Sequence, residues 1–292
     1  MKSFYHLSVT ILAVAVLESA AFAAGKSVGT GKSFQGPVGL QLCSLRAQFA
    51  AHGVPSTLDT AKSFGIRYAE LAGTYDVPAE RFKAQLAERG IKAVSGHFPY
   101  KRFKDEPEAI AVEAKALGLE YAGCAWADHK GDLDEAQARE IAAVFNKAGE
   151  ALSKHGLKFF YHCHGFEFQP HGDGTLMDLI LKETNPKHVR FEMDILWVVF
   201  PGQDPAKLLA KYPGRWELIH LKDLKKGVTT GALTGKTDVS NDVAIGSGQM
   251  NWPVILAAAK KAGVKYYFIE DESPTSVEQI PQSLKFLEQV KF

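Results

Sequence analysis

The sequence predicts a single α/β barrel of eight strand–helix units. Short apolar runs alternate with amphipathic helical patterns from Val38 to the C-terminus. The strand runs are too uniformly apolar to leave one face in water, which marks a parallel sheet covered by helices. Eight such units close most naturally into a (β/α)8 barrel, a fold of about 250 residues. The chain has 292 residues, 46% hydrophobic and 23% charged, so it has the length and apolar content for one such barrel. An open doubly wound sheet is disfavoured, because no Gly-rich phosphate fingerprint follows the first strand.

The elements follow in order. Residues 1–23 read as a signal peptide: Lys2 starts it, Leu7 to Val16 is mostly apolar, and Ala21-Phe22-Ala23 is a small-x-small cleavage site. The apolar run falls short of the roughly 20 residues needed to span a bilayer. Residues 24–36 are expected to be a flexible lead-in, and 37–292 a single catalytic barrel. The expected strands are Val38–Cys43, Arg67–Ala72, Ile91–His97, Tyr121–Ala125, Leu157–His164, His188–Trp197, Trp216–Leu221 and Tyr266–Glu270. The intervening helices are Ser56–Phe64, Pro78–Arg89, Glu106–Leu117, Leu133–His155, Leu176–Glu183, Pro205–Lys211, Trp252–Ala262 and Ser276–Gln289, several closed by a following glycine. Lys225–Gln249 is polar and rich in Gly and Thr, a long loop.

Net charge is +1 with no basic cluster, which argues against nucleic acid or an anionic membrane as partner. The three cysteines, Cys43, Cys124 and Cys163, sit in apolar runs without paired spacing and read as buried thiols.

In such a barrel, polar groups at the C-terminal strand ends line one shared site. Here Glu70 ends the second strand and His97 the third. His162 and His164 end the fifth, with Glu167 just beyond. Glu192 and Asp194 share a face of the sixth, as do His220 and Lys222 of the seventh, with Asp223 alongside. Glu270 and Asp271 end the eighth. Burying so many ionisable groups together costs several kcal/mol per unpaired charge, and a cation offsets that cost. Asp194, His220 and Glu270 form a mixed oxygen and nitrogen donor set. With one ligand from the fifth strand they suit Mn2+, Co2+, Mg2+ or Zn2+. Glu167 offers the harder oxygen and is the expected fourth ligand, with His162 the alternative. His162, His164 and Lys222 are then the expected acid/base groups. Glu70, His97, Glu192 and Trp197 are the expected substrate-binding residues, with Trp126 as a further aromatic surface.

These stretches together resemble the sugar phosphate isomerase/epimerase superfamily of xylose isomerase-like TIM barrels. The resemblance runs from Gln41 to the C-terminus. It rests on Gly65–Glu70, Ser95–His97, Tyr161–Phe168, Glu192–Val198, Tyr212–Arg215, His220–Asp223, Gly246–Gly248 with Trp252, and Ile269–Glu270. It implies a divalent metal at the barrel mouth held by Glu167 or His162, Asp194, His220 and Glu270. In this branch the fifth-strand motif usually reads His-Asn-His, and Cys163 replaces the Asn. His162 stands where epimerases acting on free ketoses carry a glutamate. Exported members of the His-x-His branch resemble enzymes acting on 3-keto sugars.

The expected protein is therefore an exported, periplasmic or secreted, metal-dependent carbohydrate enzyme. It abstracts a proton next to a sugar carbonyl, as a 3-keto-glycoside lyase or hydratase or as a sugar isomerase. Aldose–ketose isomerisation or epimerisation of a free sugar is the alternative, and a sugar-binding barrel without turnover is the alternative of another class. A small carbohydrate is the expected partner, and a homo-oligomer is left open.

Overall fold

Alternation along each short strand sorts the side chains into two cores. Odd and even residues face opposite sides, so one set packs against the surrounding helices and the other fills the barrel. In the computed structural model, which describes residues 27–292, the strands are β1 Val38–Gln41, β2 Tyr68–Leu71, β3 Lys92–His97, β4 Tyr121–Cys124, β5 Lys158–His162, β6 Val189–Asp194, β7 Trp216–Leu221 and β8 Tyr266–Ile269. They pair in parallel and in sequence order, and β8 closes on β1 with Val38 opposite Tyr267 and Leu40 opposite Ile269. The expected closed eight-strand barrel is thus observed.

Val94, Tyr121, Phe160, Leu218 and Phe268 form the inner core, separate from the large layer between barrel and helices. The Phe160 ring fits only because β4 carries a glycine opposite it. A Cβ on Gly123 would lie 2.3 Å from the ring. Below this plug Glu217 accepts from Tyr121 Oη (2.7 Å), Lys158 Nζ (2.7 Å) and Arg190 Nε (2.7 Å), which satisfies the polar groups there. The plug seals the interior, so chemistry is confined to the opposite end, where the strands finish.

Several boundaries differ from expectation. β5 stops at His162, and His164 belongs to the following turn. β6 stops at Asp194, and the apolar run Ile195–Val199 is a helix rather than more strand. Its cause is a cap: Asp194 Oδ1 accepts from Trp197 N at 3.0 Å, satisfying a first-turn amide. A helix Tyr100–Asp105 precedes the expected one after β3. The first helix begins at Arg46 and bends at Gly53, whose φ of 71° the helix cannot continue. The long loop after β7 contains a small antiparallel pair, Asp223–Leu224 with Asp242–Val243.

Asp223 anchors that loop. Its oxygens accept from the amides of Leu224, Gly246, Gly248 and Met250 and from Trp252 Nε1 (2.8 Å). Gly248 is needed for this approach, since a Cβ there would lie 2.2 Å from Asp223 Oδ1.

The expected signal segment 1–23 and the first residues of the expected lead-in lie outside the described residues. The rest of the lead-in is packed rather than free. Phe34 is buried edge-on against Tyr267, with centroids 4.9 Å apart, and Gly29 N donates to Glu288 at 3.2 Å. Cys124 and Cys163 are buried as expected, while Cys43 is only partly covered.

Candidate active site

Seven strand-end side chains converge at the C-terminal mouth: Glu70, His97, His162, Glu192, Asp194, His220 and Glu270. Two interlocking groups share His220, which turns one ring nitrogen toward each.

The deeper group is built on carboxylates. Glu70 is fully buried. It accepts from Gln41 Nε2 (2.8 Å) and Ser95 Oγ (2.5 Å), and lies 2.5 Å from His220 Nε2 and 3.2 Å from His97 Nε2. Burial alone would raise this carboxyl, but His97 and His220 beside it hold it well below the usual range. Its two oxygens are engaged by four neighbours at the floor of the site. Glu192 Oε2 lies 3.2 Å from His97 Nε2, 3.0 Å from His162 Nδ1 and 3.2 Å from His220 Nε2. Burial, together with nearby Glu70, pushes Glu192 up to about 8. Its second oxygen, Oε1, is buried and has no partner among the described residues, which leaves it for a ligand. Burial lowers the imidazole of His97, but Glu70 and Glu192 outweigh it and carry His97 up to about 10. The one Nε2 that His97 offers this floor faces both carboxylates, so His97 supports the site from below rather than reaching substrate through that atom.

The outer group is where a metal ion fits. His220 Nδ1 lies 3.2 Å from Glu270 Oε2 and 3.7 Å from Asp194 Oδ2, and His162 Nε2 lies 3.9 Å from the same Asp194 oxygen. Donors bound at about 2.1 Å around a tetrahedral ion stand roughly 3.4 Å apart, so this spacing matches a first coordination sphere. Asp194 Oδ2 is buried with no hydrogen-bond partner among the described residues, an orphan that a cation would satisfy. In both histidines the nitrogen turned away from this point is held by a carboxylate, as second-shell partners hold metal-binding imidazoles.

Glu167 is not part of this arrangement. Its carboxylate turns back onto Tyr161 Oη and accepts from the amides of His164 (3.0 Å) and Gly165 (2.7 Å). Glu167, the expected fourth ligand, therefore faces away from this point, and the fifth-strand nitrogen that faces Asp194 is His162 Nε2. Tyr161 precedes His162 on the opposite face of β5, so a side chain bonded to Tyr161 is drawn out of the barrel mouth.

Lys222 is also placed differently from its expected role in proton transfer. It is buried over the face of Trp197 (5.5 Å) and lies 3.2 Å from Glu270, 2.6 Å from Glu272 and 3.6 Å from Asp242. Burial opposes its charge, yet Glu270 and Asp242 outweigh this and lift its pKa well above the ordinary value. It therefore stands as a charged neighbour of Glu270. His164 stands at the rim, 4.7 Å from the His162 ring, edge-on to Trp126 and tilted over Trp197. Its Nδ1 is buried and has no partner among the described residues. Burial and the Lys222 charge lower its pKa to about 3, so its imidazole is neutral. Trp197 is almost covered, only 6% exposed, and backs His164 and Lys222. The aromatic surface left partly open is that of Trp126, stacked on His129 and tilted against Phe166. Gly235 of the long loop lies against His164, Phe166 and Trp126, so that loop walls the mouth.

Sequence reasoning missed Gln41, Ser95, Asp242 and Glu272. Gln41 ends β1 and was accessible to the same strand-end rule. Asp242 arrives from the far end of a long loop with no local signal.

The fold and the site together agree with a match to the xylose isomerase-like TIM barrel family model over residues 58–290. The chain belongs to this family. An inosose dehydratase of Clostridium botulinum (strain Alaska E43 / Type E3) is 29% identical over 214 residues, covering 61% of this chain and 71% of that protein. An inosose dehydratase of Clostridium tetani is 28% identical over 121 residues, a match that spans only 40% of that protein. Among solved structures, a sugar phosphate isomerase/epimerase from Parabacteroides distasonis superposes with a TM-score of 0.73 at 25% identity, covering 87% of this chain and 98% of that one. The IolI protein with a bound zinc atom superposes with a TM-score of 0.65 at 14% identity, over 86% of this chain and 95% of that one, a likeness of fold alone. In this family architecture the mouth of the barrel is where the geometry above places the reactive groups.

Proposed function

We propose that this protein is a divalent-metal-dependent carbohydrate enzyme that removes the proton next to a sugar ketone, with departure of the substituent on the adjacent carbon. The observation that carries the proposal is the convergence of Asp194 Oδ2, His220 Nδ1 and Glu270 Oε2, with His162 Nε2 facing them, around an unpartnered buried carboxylate oxygen. The inosose dehydratase relatives act on a cyclic polyol ketone by name, which supports the dehydratase sense of the reaction.

His162, Asp194, His220 and Glu270 would hold the ion, and the donor set suits Mn2+, Co2+, Mg2+ or Zn2+. When bound, such an ion supplies Lewis acidity that lowers the barrier to ionising the carbon next to a carbonyl. The chain's own groups do the rest. His164, neutral and with an unpartnered Nδ1 at the rim, would accept the proton once a bound anionic substrate raises its pKa from about 3 toward the working pH. Lys222 holds Glu270 in place and keeps its own proton. Trp126 offers an apolar face to the sugar ring. Glu192 Oε1 is available to a hydroxyl. Export remains part of the proposal and rests on the sequence of residues 1–23.

The test is exchange chemistry. The protein is incubated in deuterated water with a panel of 3-keto glycosides, inososes and free ketoses, with and without chelator. Chelator-sensitive deuterium incorporation with loss of water or aglycone supports the proposal. Incorporation with an isomeric product and no leaving group favours the free-sugar isomerase. Binding without exchange on every substrate rejects an enzyme of this kind.

A further inference from the structure

The two interlocking groups at the barrel mouth pose a question of occupancy. His97, His162, Glu192 and His220 lie close enough to hold an ion of their own, and so do Asp194, His220 and Glu270. His220 could serve both, through Nε2 and Nδ1, and His162 could serve either through Nδ1 or Nε2.

We infer that the inner group is a hydrogen-bond hub, not a second metal site, and that Glu192 is the positioning residue that turns His162 and His220 toward a single ion. The geometry separates the two groups. In the inner one, three imidazole nitrogens reach one oxygen, Glu192 Oε2, at 3.0 to 3.2 Å, each within hydrogen-bond range. Donors bound to one ion would instead surround an empty centre. In the outer group only His220 Nδ1 and Glu270 Oε2 are in hydrogen-bond range (3.2 Å); His220 Nδ1 and His162 Nε2 stand 3.7 and 3.9 Å from Asp194 Oδ2, which has no hydrogen-bond partner among the described residues.

A ring N–H facing Glu192 fixes each tautomer. His162 carries its proton on Nδ1 and presents the lone pair of Nε2, while His220 carries its proton on Nε2, between Glu192 and Glu70, and presents Nδ1. Both lone pairs then point at the Asp194 and Glu270 oxygens. The sequence places this device economically: Glu192 and Asp194 are two apart on β6, so one strand end supplies both the hub and a ligand.

This inference rests on the metal-dependent reading above, and its test separates the two. Co2+ is titrated into the chelated full-length protein and its Glu192→Gln and Glu192→Asp variants, following cobalt absorption, stoichiometry and melting of the metal-free form. The amide of Glu192→Gln presents a donor as well as an acceptor and cannot receive three N–H groups. The expected result is one Co2+ per chain in the wild type. Glu192→Gln binds it roughly 10 to 100 times more weakly, with metal-free melting close to wild type. Glu192→Asp, which keeps the charge, falls between them. A purely packing role for Glu192 would lower metal-free melting without this graded affinity. Two Co2+ per chain in the wild type, or unchanged affinity in both variants, overturns the hub while leaving the metal-dependent reading intact. No Co2+ uptake by the wild type overturns both.

Discussion

Asp194→Asn separates the two duties of one carboxylate. Oδ1 caps the helix Ile195–Val199 by accepting from Trp197 N, and Oδ2 faces the metal point without a partner. Asparagine retains an oxygen for the cap and replaces Oδ2 with a neutral amide. Burial raises the pKa of Asp194, so its ionised form is a cost to the metal-free fold. An unsatisfied buried polar atom is worth about 1–3 kcal/mol. Removing the charge should stabilise the metal-free protein by about 1–2 kcal/mol, and at about 2–4 °C per kcal/mol for a domain of this size the variant should melt higher.

Metal binding runs the other way. A four-ligand site that contributes about 10–16 kcal/mol loses about 3 kcal/mol with one ligand, on the order of 100-fold in affinity. At an ion concentration about 1,000 times the wild-type dissociation constant, binding adds about 4 kcal/mol to the wild type but only about 1.4 kcal/mol to the variant. The melting order should therefore reverse. The variant is the more stable protein in chelator, and the wild type in saturating ion. Differential scanning calorimetry under both conditions reads this directly. A variant several degrees less stable in chelator, with undiminished stabilisation by the ion, would refute both the orphaned oxygen and the ligand role.

Other outcomes follow from the same geometry. Glu167→Gln should leave metal content unchanged and lower stability by about 1–3 kcal/mol in chemical denaturation, because it disturbs Tyr161 and two amides rather than the metal point. Glu217→Gln should cost about 2 kcal/mol at neutral pH. Burial would raise that carboxyl, but Lys158, Tyr121 and Arg190 outweigh it and lower its pKa. Its stabilisation is therefore complete above the ordinary carboxylate value and is lost as pH falls through the lowered folded value. The gap between wild type and variant should close in acid and stay constant from pH 6 to 8. Gly123→Ala drives a methyl into the Phe160 ring and should destabilise by about 1–3 kcal/mol. Pairing it with Phe160→Leu should recover part of the loss in a double-mutant cycle.

The barrel itself was legible in the sequence because a buried parallel strand must be apolar throughout and its helix must end in a stop signal. The strand-end rule also found Asp194, His220, Glu270 and His162, since the last inward residue of each strand necessarily faces the mouth. What failed lay one step beyond the strand ends. Ile195–Val199 is as apolar as a strand, and only the capping geometry of Asp194 shows where the helix begins. From the sequence Glu167, with its harder oxygen, is the expected ligand over His162, but its direction is set by a turn at Gly165 (φ 97°) and by Tyr161. Neither is encoded by residue type alone. From the sequence Lys222 reads as a proton carrier, because two of its three carboxylate partners cannot be placed there. Glu272 and Asp242 come from loops, and their contact with Lys222 is a product of the closed barrel.

The most direct measurement is the metal content of the purified protein before and after chelation, with turnover on the substrate that shows exchange. The account predicts one divalent ion per chain, loss of turnover when it is removed, and recovery when it is returned. A protein that turns over fully with no divalent ion bound would contradict it.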